Sequence, residues 1–169
     1  VAAINLNIFN KHCDRVKMAN IAQLVNVLQA VILTEGEKML LTPTYHVFKM
    51  YSCHQDADLV QSHVETELIG TKDNKVPNLT ESVSVSDDTL HITMTNLSLS
   101  EDYEIEGVMV DTGIKSVRGS ILTAGYKDHN TFEKADLVRE TAFEGIQAEG
   151  GKLRFTIPAN SVIRIDVSM

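Results

Sequence analysis

The chain has 169 residues, with 15 basic and 23 acidic side chains and a formal net charge of −8. This acidic balance excludes nucleic acids and anionic membrane surfaces as partners, because neutralising phosphate groups requires clustered lysine and arginine. With 43% hydrophobic and 22% charged residues the composition is that of a globular protein, and no apolar run reaches the ~20 residues that span a bilayer.

Residues 1–64 have the pattern of a parallel α/β layer. Apolar residues at helical spacing over Ala2–Phe9 predict a helix, and the mostly apolar run Val16–Ala22 predicts a buried strand. Thr42-Pro43 predicts the start of a second helix, with threonine capping free N–H groups and proline at the first helical position, and Leu59-Val60 could still extend it. This order of elements is typical of one βα unit.

A single parallel strand cannot form a sheet by itself, and a (β/α)₈ barrel takes about 250 residues. The chain also begins at Val1 inside an amphipathic pattern, without a methionine. We therefore expect residues 1–64 to be the last βα unit of a barrel, a helix–strand–helix segment whose earlier units lie on preceding sequence.

Residues 65–169 change to a period of two, which predicts about seven or eight antiparallel strands in a two-sheet sandwich or jelly roll. Each such strand should bury one face and expose the other to water. Between Tyr103 and Val110 the alternation slips at Gly107, which predicts a β-bulge. The three clearest alternating runs predict the buried sets Leu90/Ile92/Met94, Leu153/Phe155/Ile157 and Ile163/Ile165/Val167.

Several stretches resemble a known family. Residues 7–23, NIFNKHCDRVKMANIAQ, are similar to the C-terminal end of the barrel in family 51 glycoside hydrolases, the α-L-arabinofuranosidases. VNVLQ at 25–29, TPTYHVF at 42–48, HNTFE at 129–133 and the terminal strand pair with IPANSV at 157–162 continue the similarity. The resemblance implies a (β/α)₈ barrel with a C-terminal jelly roll, assembled as homo-oligomers. The activity it implies is the retaining hydrolysis of terminal α-L-arabinofuranosyl residues from arabinan- and arabinoxylan-type oligosaccharides.

Retaining hydrolysis needs two carboxyl groups about 5–5.5 Å apart. The resemblance places them on glutamates at the ends of the fourth and seventh barrel strands, which this chain does not contain. The aspartate and glutamate residues of this chain that we considered as a catalytic pair do not lie at the C-terminal ends of strands, where barrel enzymes place their catalytic residues. We therefore expect no catalytic residue in this chain, and we expect the chain alone to be inactive. The candidates considered are Asp14, Glu35, Glu37, Asp56 and Asp58.

Gln23 is the one predicted substrate-binding residue, since it ends the predicted strand and therefore lies at the functional rim of the barrel. The resemblance implies that its amide contacts the sugar or the nucleophile; the alternative is an amide that only caps the backbone. Asn20 is expected to tie a neighbouring backbone. The six histidines lack the spacing of metal ligands, so we expect neither a metal nor a cofactor.

The remaining features leave alternatives open. The loop His129–Phe132 could contact the barrel or a neighbouring subunit, or could be a turn in which Phe132 plugs the core. Asn78 and Asn96 open glycosylation sequons that we interpret as chance matches, and two cysteines without a disulfide framework favour the cytoplasm. Two rival functions remain: a stand-alone β-sandwich binding or assembly module without activity, and a retaining glycosidase for another sugar.

Overall fold

The computed structural model describes residues 1–109 and 113–169 of the chain. Two helices are formed in these residues: α1 (Ala2–Lys11) and α2 (Pro43–Tyr51), which is followed by a 3₁₀ turn over Ser52–His54. The strands are β1 (Ile32–Glu35), β2 (Lys38–Leu41), β3 (Asp58–Val60), β4 (Leu68–Gly70), β5 (Lys75–Pro77), β6 (Leu79–Ser86), β7 (Thr89–Asn96), β8 (Tyr103–Val108), β9 (Ser116–Thr123), β10 (Thr141–Ala142), β11 (Gln147–Glu149), β12 (Lys152–Ile157) and β13 (Ser161–Ser168).

Two antiparallel sheets form the body of the sandwich. The larger has six strands in the order β10-β9-β13-β7-β6-β3, and the smaller has three in the order β11-β12-β8. The hairpins β1-β2 and β4-β5 form two further small sheets. The predicted antiparallel sandwich is confirmed.

The core between the sheets is built from the side chains that the period-two pattern indicates. Ile157, Ile163, Ile165 and Val167 are completely buried. Each buried aliphatic side chain of this size contributes about 1.5–3 kcal/mol when it leaves water. The same cluster includes Leu79, Val83, Leu90, Met94, Ile121, Phe143, Leu153 and Phe155.

The predicted wet face is wrong for β7. Thr93 and Thr95 point away from the core, yet neither has any exposed surface, and His91 is buried as well. The reason is that α1 and α2 cover this outer face of the six-stranded sheet. A second apolar cluster between helices and sheet completes the cover: Ala3, Val47, Met50, Tyr51, Leu122 and Val138.

The strand predicted over Val16–Ala22 is not formed; this segment has no ladder partner among residues 1–109 and 113–169. Close by, Val25 makes a single parallel bridge to Ile32. A parallel strand needs neighbours that supply both its donors and its acceptors, and the described part of the chain contains no strand placed to do so.

The second helix is confirmed over Pro43–Tyr51, but its cap differs from the prediction. Thr42 is extended and makes no side-chain bond to the helix N–H groups. Its Oγ1 instead donates to the carbonyl oxygens of Ala30 and Val31, at 2.9 and 3.2 Å. The threonine therefore ties the start of α2 to the preceding loop.

Two smaller expectations also changed. Leu59 and Val60 do not continue α2; they belong to β3, which pairs with β6, so the end of segment 1–64 lies in the main sheet. Gly107 pairs with Leu153 in a β8–β12 register that is continuous from Tyr103 to Val108, so no bulge interrupts the described strand. Val110 lies outside the described residues.

Candidate functional site

Residues 13–31, which we call the rim segment, connect α1 to β1 and carry the predicted site residue. Large apolar side chains lie on its surface: Met18 is 78% exposed, Leu24 57% and Leu28 92%. Hydrophobic residues exposed together on a surface indicate an interaction site.

A groove of about 630 Å³ runs between α1, the rim segment and the start of α2. Its walls are mainly apolar, and Asn20 and His129 add polar groups. Asn20 is exposed and, among the described residues, makes no side-chain bond to a neighbouring backbone, so the structural role expected for it is not observed. The apolar walls include Leu6, Phe9, Ile21, Val27 and Phe48.

Gln23 lies on the rim segment with its side chain exposed, immediately before a closed loop. The N–H groups of Val31 and Ile32 both donate to the carbonyl of Leu24, at 3.1 Å each, and so fix the loop. Within the described residues the Gln23 side-chain amide makes no hydrogen bond to the backbone.

The backbone of the rim segment is left-handed at three amide-bearing residues. Gln23, Asn26 and Gln29 have φ angles of +57°, +53° and +60°. This conformation costs a non-glycine residue on the order of 1 kcal/mol, with asparagine the most tolerant. The Asn26 side chain offsets the cost by bonding Thr34 twice, at 2.8 and 2.7 Å. Gln23 and Gln29 make no such side-chain bond in the described structure. Their left-handed backbone is therefore maintained by the backbone hydrogen bonds that close the loop at Leu24.

The five candidate carboxylates are not arranged for acid/base catalysis. Asp14, Glu35, Glu37, Asp56 and Asp58 are all exposed to solvent. The general acid of a glycoside hydrolase is a carboxyl group enclosed by apolar groups, whereas these side chains face water.

The His129–Phe132 loop is fastened by Asn130 and does not plug the core. The Asn130 amide donates to the carbonyls of Leu41 and Val138, at 2.7 and 2.9 Å, and its oxygen accepts the Val138 N–H. Phe132 is half-buried and belongs to neither apolar cluster. The loop therefore holds His129 against the groove.

A polar layer separates the helices from the outer face of the six-stranded sheet. The buried Asn7 of α1 donates to Thr80 and accepts from Tyr51, Ser82 and Thr93 at 2.8–3.0 Å. Burial raises the pKa of the Tyr51 phenol well above its usual value.

His54 extends this layer. Its ring nitrogens contact Ser84 and Thr93 at 2.7 and 2.9 Å. Burial, assisted by the nearby His91 and Arg164, lowers the pKa of His54 to about 4. The ring is therefore neutral at pH 7 and serves as a hydrogen-bonding partner inside the layer.

Neither glycosylation sequon is accessible. Asn78 has no exposed surface and Asn96 is 2% exposed. The Asn96 amide donates to the carbonyls of Glu101, Ile157 and Pro158, which ties the end of β7 to the end of β12. Asn96 is therefore a structural residue, and Asn78 is enclosed by the protein.

Fold and site together define an antiparallel β-sandwich with a helical layer that presents an apolar groove. A family model described as the α-L-arabinofuranosidase C-terminal domain matches residues 1–161, and the chain belongs to this family. The resemblance stated from the sequence is thereby confirmed.

The relatives are named as arabinofuranosidases. An intracellular exo-α-L-arabinofuranosidase of Bacteroides ovatus is 41% identical over 170 residues, covering 99% of this chain and 33% of the relative. The crystal structure of the GH51 arabinofuranosidase from Xanthomonas axonopodis pv. citri superposes with a TM-score of 0.94 at 38% identity, covering 99% of this chain and 34% of that one. The Thermotoga maritima α-L-arabinofuranosidase in its arabinose complex gives 0.84 at 26% identity, with 99% and 37% covered.

The chain thus spans about a third of the length of the relatives it matches. No helix of the described residues is long and apolar enough to cross a membrane.

Proposed function

We propose that this chain is the C-terminal part of a retaining α-L-arabinofuranosidase that acts on arabinan- and arabinoxylan-type oligosaccharides. The nucleophile and acid/base glutamates lie on a preceding (β/α)₈ barrel. The family membership and the third of each relative that the chain matches support this assignment. The whole protein belongs to carbohydrate and arabinose metabolism, acts in the cytoplasm without a cofactor and forms homo-oligomers.

The rim segment is the observation that carries the proposal. Its apolar side chains are exposed, and Val16–Ala22 has the composition of a buried strand without strand partners in the described chain. Joined to the barrel, this segment becomes the eighth strand and covers its apolar side chains. Gln23 then stands at the C-terminal end of that strand, where barrel enzymes bind substrate.

The test uses the product of the complete gene and an aryl α-L-arabinofuranoside. We expect it to release arabinose with retention of configuration, and we expect residues 1–169 alone to release none. Activity of the isolated chain would contradict the placement of the catalytic glutamates on the barrel, and an inactive complete protein that only binds would favour the stand-alone module.

Gln23→Ala in the complete protein tests the site residue. Loss of a hydrogen bond to the sugar or to a charged nucleophile lowers kcat/KM by about 10–100-fold. Gln29→Ala is the matched control, because Gln29 is also an exposed glutamine with a left-handed backbone in the same segment. Equal losses in both variants would assign the effect to loop geometry and remove Gln23 from substrate binding.

A further inference from the structure

Cys53, His91 and Asp166 converge on the helix-facing side of the six-stranded sheet. His91 on β7 and Asp166 on β13 occupy directly paired positions, and Cys53 reaches them from the 3₁₀ turn after α2. One thiol, one ring nitrogen and one carboxylate oxygen lie within 4.8 Å of one another. The three residues are far apart in the chain, which is why the sequence led us to expect no metal site.

We propose that these three side chains form a binding site for a divalent transition-metal ion of the Zn²⁺ class. Thiolate, imidazole and carboxylate are the ligands that Zn²⁺ takes in proteins, and three protein ligands leave a fourth tetrahedral position for water. His91 is buried and the other two residues are half-buried, so the ligands are held in place within the packed layer.

Neighbouring groups already orient the two ligands that lie on the sheet. Ser86 Oγ lies 3.1 Å from His91 Nε2, which leaves Nδ1 as the nitrogen facing the cluster. Arg164 contacts both carboxylate oxygens of Asp166 at 3.0 Å, Nε to Oδ1 and Nη2 to Oδ2. Such outer contacts fix ring orientation and ligand direction in metal sites.

The proton balance of binding follows from these contacts. Without metal, His91 Nδ1 lies 2.7 Å from Asp166 Oδ1, a donor–acceptor pair. The ion takes the Nδ1 lone pair, and the ring proton moves to Nε2, where it is donated to Ser86. The Cys53 thiol passes its proton to solvent when its sulfur binds the ion as the thiolate. One ion enters and one proton leaves.

Arg164 sets the strength of the site. Its guanidinium adds a positive charge beside the ion, which opposes binding, while its two bonds to Asp166 favour the ligand geometry. We therefore expect the site to bind a transition-metal ion with moderate affinity. We also expect it to select ions that accept a thiolate ligand over ions such as Mg²⁺, which prefer oxygen ligands.

The test is a titration of the complete gene product with Co²⁺, followed by absorption spectroscopy. We expect a thiolate-to-Co²⁺ charge-transfer band that Zn²⁺ abolishes and Mg²⁺ does not. Cys53→Ser should remove the band, and Cys13→Ser should keep it, since Cys13 is exposed on the rim segment. Absence of the band, or its persistence in Cys53→Ser, would overturn the proposal.

Two further measurements do not depend on Cys53→Ser folding. Ser86→Ala should weaken the binding of Co²⁺ by about 10–100-fold, the usual effect of losing such an outer contact, whereas Ser116→Ala, at an exposed position at the start of β9, should not change it. In the unmodified protein, Zn²⁺ should slow alkylation of Cys53 without slowing that of Cys13. Equal behaviour of the two serines or of the two thiols would show that the cluster is only a hydrogen-bond network.

Discussion

Gly119 occupies a position where the surrounding atoms leave no space for a side chain. It lies on β9, and its carbonyl accepts the Phe143 N–H at 3.0 Å. A Cβ atom at this position would lie 2.9 Å from the carbonyl oxygen of Phe143 and 2.7 Å from Cδ1 of Ile146. The segment between β10 and β11 therefore packs directly on a position without a side chain.

Gly119→Ala should lower the free energy of unfolding by about 1–3 kcal/mol, because the added methyl group overpacks the core against a backbone atom. Gly107→Ala is the matched control: its Cβ would meet Leu153 Cβ at an ordinary 3.8 Å. Urea denaturation of both variants measures the difference. A Gly119→Ala variant as stable as Gly107→Ala would show that the backbone moves to make room.

Single residues were predictable where the chain determines them locally. The Thr42-Pro43 start of α2 follows from residue preferences and is confirmed, but the bonds from Thr42 to Ala30 and Val31 are not encoded nearby. The cluster of Cys53, His91 and Asp166 likewise arises from strand pairing between distant parts of the chain. Spacing in the sequence could not have indicated it.

At the level of elements, α1 is joined to the sheet by polar contacts. Asn7 is 1% exposed and makes four hydrogen bonds that reach β6, β7 and α2. At the end of the same helix, Lys11 pairs with the buried Glu81 of β6. The helix is therefore held in one register on the sheet, since a shift would leave buried polar groups without partners.

Asn7→Ala should destabilise the protein by about 2–4 kcal/mol, because the hydroxyls of Tyr51, Ser82 and Thr93 lose a common acceptor in a buried layer. Asn5→Ala on the exposed side of α1 removes only a bond to the carbonyl of Val1 and should change stability by less than about 0.5 kcal/mol. Thermal and urea unfolding compare the two. Similar small losses would indicate that water replaces Asn7.

Helices and strands could be predicted from the sequence where their own residue pattern determines their conformation. Alternation correctly located β7, β12 and β13 and their inward faces, since burial of one face is a property of the strand. Whether the opposite face is exposed to solvent depends on what packs against it. The prediction that Thr93 of β7 is exposed was therefore wrong, whereas Arg154 of β12 is exposed as predicted. The strand over Val16–Ala22 fails for the same reason: a parallel strand exists only beside its partners.

For the whole molecule, the distribution of exposed apolar residues separates two surfaces. The sandwich has a continuous buried core and exposes single apolar side chains, such as Leu68 and Leu99, at separate positions, whereas Met18, Leu24 and Leu28 lie in solvent within one short segment. Burying a side chain of this size contributes about 1.5–3 kcal/mol, so three of them represent a sizeable part of an interface. This difference within one chain supports the proposal that residues 1–64 belong to a barrel.

Leu28→Asp tests this division in the product of the complete gene. If the rim segment packs against the barrel, the charge should destabilise the protein by at least ~2 kcal/mol, the contribution of a buried leucine. In the isolated chain the same change should reduce self-association, measured by sedimentation.

Leu99→Asp provides the matched control, since Leu99 is 65% exposed in the loop between β7 and β8 and lies outside the rim segment. It should change stability by less than about 0.5 kcal/mol in both forms of the protein. If Leu28→Asp and Leu99→Asp behave alike in the complete protein, the rim segment is a free surface there and the eighth strand must be sought elsewhere. A loss confined to Leu28→Asp, in contrast, would identify the rim segment as the point where the sandwich joins the barrel.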